Sequence, residues 1–228
     1  QDFVDSGFFL NESKTETIVR IANYSLLFEG KIKAVTFDYS ILVMSECGSK
    51  LGFKSGFLGR DETIHVQISN LCRGATRGWF LISITPNEKG VFGTIRPQIS
   101  LLSDDWVASF HTQPHSMATK KDRRSRVTVR KGEKRFDTSF SIINGTPTKC
   151  GGRVVAEALD YNGIANEKSY ADLSVPAYGS RIFDLDQLFP SAKGRTLYMM
   201  HVETNTQTRK HVLAYHNDGS ISVDHFPN

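Results

Sequence analysis

Hydrophobic and polar positions alternate along the C-terminal part of the chain. From Ser220 to His225, Ile221, Val223 and His225 fall on one side and Ser220, Ser222 and Asp224 on the other, the period-two pattern of a half-buried strand. Thr196 to Val202 and Lys210 to His216 are rich in β-branched and aromatic residues and predict two more strands. Turn chemistry separates such runs: Asn217-Asp218-Gly219, Asp160-Tyr161-Asn162-Gly163, Pro176-Ala177-Tyr178-Gly179, Ser103-Asp104-Asp105 and Asn87-Glu88-Lys89-Gly90. Long helical periodicity is absent, and only Asp184 to Phe189 predicts a helical turn. Short strands at this spacing predict antiparallel sandwiches.

The chain also resembles itself. Gly30-Lys-Ile-Lys-Ala-Val-Thr-Phe-Asp38-Tyr39-Ser40 lies over Gly152-Arg-Val-Val-Ala-Glu-Ala-Leu-Asp160-Tyr161-Asn162. Ile21 and Asn23 match Ile142 and Asn144; Val66, Ile68 and Leu71 match Phe183, Leu185 and Leu188; Asp104 and His111 match Asp218 and His225. The order is kept while the offset drifts from 122 to 114, which predicts an internal repeat. The expected fold is therefore all-β: two tandem immunoglobulin-like antiparallel β-sandwiches related by internal duplication, with tandem jelly rolls as the alternative. The expected boundaries are 1–117 for the first repeat, 118–126 for a basic linker and 127–228 for the second. The Asp160-Tyr-Asn-Gly163 turn followed by VPAYGSRIFDLDQLF resembles immunoglobulin-like modules appended to extracellular bacterial proteins, and no functional residue follows from that likeness.

At 228 residues the chain has room for one large core or two of about half its length. No apolar run approaches the roughly 20 residues that span a bilayer, so a soluble chain is expected. Three sequons, at Asn11, Asn23 and Asn144, point toward an exported location, extracellular, periplasmic or at the cell surface. Cys47 and Cys72 both lie in the first half and could pair, leaving Cys150 alone, with three unlinked thiols as the equal alternative.

The net charge of +4 is uneven. Lys120 to Arg135 holds nine basic and two acidic residues, a local +7, so the remainder sums to −3. This segment, through Lys120, Lys121, Arg123, Arg124 and Arg126, is the candidate site for a polyanion or glycan. It lacks interleaved aromatics, which disfavours sequence-specific nucleic-acid binding. The competing reading is a solvated linker extended by its own repulsion.

A second candidate is metal. If Asn217-Asp218-Gly219 forms a three-residue turn, His211 stands directly opposite His225, with Cβ atoms about 5 Å apart. His201 or His216 would have to complete a zinc, copper or iron site, which needs three or four ligands. The same count in the first repeat sets Pro97 against His111, so such a site would belong to the second repeat alone. The competing reading makes His225 a core-rim histidine following Ile221 and Val223 inward.

Nothing in the chain carries a nucleophile motif, and Asp104-Asp105 and Asp184/Asp186 read as turn and cap residues. The last feature is asymmetry: Trp106, Ala108 and Phe110 occupy the face that holds Ser220, Ser222 and Asp224 in the second repeat. Something must cover them, and contact with the second sandwich is the first choice, ahead of another subunit or a ligand. The leading functional expectation is a non-enzymatic binding or structural module for a polyanion or glycan. A metal-binding protein or metal-dependent enzyme, and a subunit of a surface assembly contacting a protein through Trp106 and Phe110, are the alternatives.

Overall fold

The computed structural model describes residues 3–12, 14–23, 26–28, 31–33, 35–88, 95, 97–115 and 125–225. The chain divides into two compact units, Gln1–His115 and Ser116–Asn228. In the first unit the strands are β1 (Phe3–Leu10), β2 (Glu16–Ala22), β3 (Leu26–Phe28), β4 (Lys31–Lys33), β5 (Phe37–Ser45), β6 (Lys50–Leu58), β7 (Thr63–Gln67), β8 (Arg77–Pro86), β9 (Gln98–Leu102), β10 (Val107–His111) and β11 (Gln113–Pro114). They form two antiparallel sheets, ordered β11-β1-β8-β5-β6 and β10-β9-β2-β7, plus the short β3-β4 hairpin. The second unit has β12 (Ser125–Lys131), β13 (Thr138–Ile143), β14 (Cys150–Leu159), β15 (Ala165–Val175), β16 (Ser180–Asp184), α1 (Leu185–Leu188), β17 (Thr196–Thr204), β18 (Arg209–Tyr215) and β19 (Ile221–His225). Its sheets are ordered β12-β17-β14-β15 and β16-β13-β18-β19.

Setting aside β3, β4 and β11, each unit places its first, sixth, third and fourth strands in one sheet and its fifth, second, seventh and eighth in the other. Relative to immunoglobulin constant-type order, the first and fourth strands lie in the sheet of the third and sixth, and the seventh lies in the sheet of the second and fifth. The expected all-β sandwich architecture is thus present, with this strand order.

Alternation builds each core. In β5, Phe37, Tyr39, Ile41 and Val43 are buried while Asp38 between them is exposed. In the second unit, Val129, Phe140, Ile142, Val154, Ala156, Phe183, Met200 and Val202 form one cluster, with Val212 packed against it. Each fully buried large side chain of this kind contributes about 1.5–3 kcal/mol.

Both units brace the end of their second strand with an asparagine. The Asn23 amide donates to Val35 O and Gly59 O, both at 2.6 Å, and its N–H donates to Glu62 O at 2.8 Å. The Asn144 amide donates to Thr148 O at 2.8 Å and Pro176 O at 2.7 Å, and its N–H to Gly179 O at 2.8 Å. Asn23 and Asn144 are buried, so the side chains of two of the three sequons are closed to solvent and committed to internal hydrogen bonds. The expected match of Asn23 to Asn144 therefore has a structural content. The expected helical turn is α1, which Asp184 caps by accepting from Asp186 N at 2.8 Å; Leu185 fills the core as Ile68 does after β7.

Other expectations are corrected. Asp38-Tyr39 lies inside β5 with Tyr39 buried, whereas Asp160-Tyr161 forms the turn after β14 with Tyr161 96% exposed. That match pairs unlike positions, because the β3-β4 hairpin lengthens the first unit ahead of its third strand. The basic segment is not linker throughout, since Ser125 and Arg126 already belong to β12. All three cysteines are free thiols, Cys72 buried and Cys47 exposed. Ala108 and Phe110 need no external cover: both are buried, and Phe110 stacks on Phe8 of the opposite sheet with ring centroids 5.1 Å apart. Trp106 itself is half-buried at the start of that hairpin arm.

Candidate functional site

The last hairpin of the second unit folds as its turn chemistry predicts. Gly219 takes φ 85, Gly219 N donates to His216 O at 3.1 Å, and His216 N donates to Ser220 O at 2.9 Å. Asp218 accepts from the hydroxyl and N–H of Ser220, and these bonds hold its carboxyl below the usual range. The three-residue turn sets His211 opposite His225. In the first unit Ser103 N donates to Trp106 O, the turn has only two residues, Asp104-Asp105, and His111 opposes Gln98 rather than Pro97.

The histidines do not assemble into a metal site. Among the described residues no group of three or more His, Cys, Asp or Glu side chains is placed to hold an ion. His201 lies on β17, in the other sheet, with Nε2 3.2 Å from Glu157 Oε2. His216 hydrogen-bonds Ser222 Oγ at 3.0 Å, and exposed His225 sits beside Asp224 at 3.1 Å. His211 is fully buried, and that burial, then the charges of His225 and Arg209, push its pKa from 6.5 down to about 3. Residues paired across a sheet share a face, and His211 and His225 lie on the face opposite Val212, which packs on the core. Ile221, Val223 and His225 therefore do not point into the Phe140–Val212 cluster.

The basic segment gives a different result. Lys120, Lys121, Arg123 and Arg124 lie outside the described residues. From Arg126 onward the segment becomes β12 and the turn into β13. Alternation sends Val129 into the core and leaves Arg126 and Arg130 exposed. Lys131 follows Val129 inward, where it pairs with Asp186 and lies 4.9 Å from the Phe136 ring. The next residues border an open cleft of about 400 Å3 lined by Arg130, Lys134, Arg135, Asp137, Tyr215 and Asn217, among others.

Local hydrogen bonding shapes that cleft. Arg130 and Asp137 clasp the turn through Asp137 N to Arg130 O at 3.1 Å and Arg130 N to Asp137 Oδ1 at 3.2 Å. Tyr215 N donates to Asp137 O at 2.7 Å, and the Tyr215 hydroxyl accepts from Ser139 Oγ at 2.8 Å. Glu133 is neutralised by Arg195. Arg130, Lys134 and Arg135 are exposed and pair with no carboxylate among the described residues. The site thus offers three uncommitted cations beside an exposed tyrosine ring, an arrangement suited to an anionic ligand with a flat face.

The charge run signalled this region, but Tyr215 and Asn217 arrive from eighty residues downstream through the pairing of β13 with β18, which the sequence does not announce. Also unannounced are Phe53 and Phe57 on edge strand β6, 51% and 56% exposed.

No protein-family model matches the chain, and no curated protein does. Solved structures similar to it at 10% identity include β-glucuronidase of Bacteroides uniformis, and Bacteroides uniformis β-glucuronidase 2 covalently bound to cyclophellitol-6-carboxylate aziridine. Each alignment covers 96% of this chain and 25% of the other, with a TM-score of 0.22. The chain therefore spans about a quarter of the length of those proteins. Among the described residues, no helix is long and apolar enough to cross a membrane.

Proposed function

We propose that the chain is a binding module built of two duplicated β-sandwiches, and that its second unit holds an anionic glycan in the cleft between the β12-β13 turn and the β18-β19 turn. The observation that carries this reading is the trio Arg130, Lys134 and Arg135, exposed and without carboxylate partners, around a cleft of about 400 Å3. Ligand pockets run from about 300 Å3 upward, so one or two sugar rings fit. Arginine forks suit carboxylate and sulfate groups, and Tyr215 supplies a ring for the sugar face. The shared strand order and the repeated Asn23 and Asn144 clamps support duplication. A ligand of this class fits the exported location that the sequons suggest.

The test is binding to immobilised heparin at several salt concentrations. The Arg130→Ser, Lys134→Ser, Arg135→Ser triple variant is expected to elute at lower salt. By counterion release, the slope of log K against log salt should fall by roughly two to three. Unchanged elution of a folded triple variant would remove the cleft from consideration.

A further inference from the structure

We infer that a second depression, on the outer face of the β12-β17-β14-β15 sheet, is a subsite for the adjacent hydroxyls of an uncharged sugar. It has a volume of about 360 Å3 and is bordered by Gly151, Arg153, Asp172, Glu203 and Asn205. It stands independently of the basic cleft, with which it shares no residue.

The register assembles it. Arg153 pairs with Asp172 on one side and Glu203 on the other, so the three side chains form a row on the face opposite core residues Val154, Val202 and Leu173. Arg153 is fixed twice: its Nε donates to Glu203 Oε2 at 2.8 Å, and its guanidinium lies 5.5 Å from the centre of the Tyr170 ring. A guanidinium carries five N–H donors, so four are left over from that ion pair. Asp172, exposed on the other flank, has no ion-pair partner among the described residues. The site therefore sets a fixed donor beside an uncommitted acceptor, which is what two neighbouring hydroxyls require.

Gly151 supplies the floor. Its φ is not in the left-handed region, and a Cβ built there would meet nothing nearer than Asn205 Nδ2 at 3.8 Å, an ordinary contact. Neither backbone nor packing demands glycine at this position, and a side chain would project into the depression. Gly152 is the contrast: its Cβ would lie 2.1 Å from Glu203 O, so packing alone explains it. Gly151 N donates to Asn205 Oδ1 at 3.0 Å and Asn205 N donates to Gly151 O at 2.9 Å, which secures the Asn205 amide at the floor's edge. One cation against two carboxylates leaves this row at −1, which repels the polyanions suited to the other cleft and suits an uncharged polyol.

The test is an amide NMR titration of the whole chain with cello-, malto-, manno- and xylo-hexaose, and with spermidine as the cationic arm. One of the neutral hexaoses is expected to shift the amides of Gly151, Asp172 and Asn205. The Kd should rise at least tenfold in Gly151→Leu and in Asp172→Asn at unchanged melting temperature. The Arg130, Lys134, Arg135 triple variant should bind the same hexaose as the natural chain does, which keeps this proposal separable from that of the basic cleft. If Gly151→Leu fails to fold, Asp172→Asn decides. Absence of any hexaose-dependent shift, binding within twofold of normal in Asp172→Asn, or binding of spermidine alone would each overturn the inference.

Discussion

Acidification should destabilise the second unit through His211. Burial is the first cause of its depressed pKa, and the positive charges of His225 and Arg209 add to it. The folded chain therefore keeps His211 neutral down to about pH 3, while the unfolded chain protonates it near pH 6.5. The stability this provides is fully present above the unfolded pKa and is lost as pH falls through the window from 6.5 to about 3. Between pH 7 and 5 the loss integrates to about 2 kcal/mol, and it reaches roughly 4 kcal/mol by pH 3. His211→Gln removes this titration while leaving every other group in place. Urea unfolding followed by far-UV CD at pH 7, 6 and 5 should show the natural chain losing about 2 kcal/mol more than the variant. Tryptophan fluorescence, excited beyond the tyrosine band, comes from Trp79 and Trp106, both in the first unit, and provides an internal reference for which transition moves. Parallel pH dependence in the two proteins would refute the reasoning.

Asp186→Ala should cost about 3–5 kcal/mol in chemical denaturation, because it leaves the buried Lys131 ammonium and Phe136 N without their carboxylate. Replacing the pair together, as Lys131→Met with Asp186→Leu, should recover most of that loss. Asn144→Ala strands the carbonyls of Thr148 and Pro176 and should cost about 2–4 kcal/mol by the same measurement, with Asn23→Ala behaving alike in the first unit. Phe110→Ala should cost about 3–5 kcal/mol in a fluorescence-monitored melt, whereas Phe53→Ala on the exposed edge strand should stay within about 0.5 kcal/mol.

Strand identity was legible because alternation and turn chemistry act locally. Thr196 to Val202, Lys210 to His216 and Ser220 to His225 announced strands that the fold contains, and Gly219 determined a turn whose length sets the His211–His225 register. Equivalence between the halves was less legible. A strand sequence resembles itself when slid by two residues, so the Asp-Tyr match attached a buried position in β5 to an exposed turn after β14. The match of Asn23 to Asn144 joins two residues with the same local task. Asn23 and Asn144 each donate to three backbone carbonyls at the end of a second strand.

The faces were misjudged for a related reason. Apolar residues at alternate positions identify a buried side but not which of two layers buries it. Ile221 and Val223 lie opposite Tyr215 and Leu213, while the poorer Ser222 and Asp224 share the side of Val212 that meets the core. An edge strand needs little apolar surface on its core side, so composition alone pointed the wrong way. The summed charge of the basic run does not tell which of its cations a ligand would meet. Beyond the expected linker, the strand and its turn divide them: Lys131 turns inward and is consumed by Asp186, while Arg130, Lys134 and Arg135 stay exposed. The number of charges in a segment therefore overstates what a ligand meets. What a ligand meets is fixed by the pleat of β12 and by the β13-β18 pairing, which brings Tyr215 to the remaining cations.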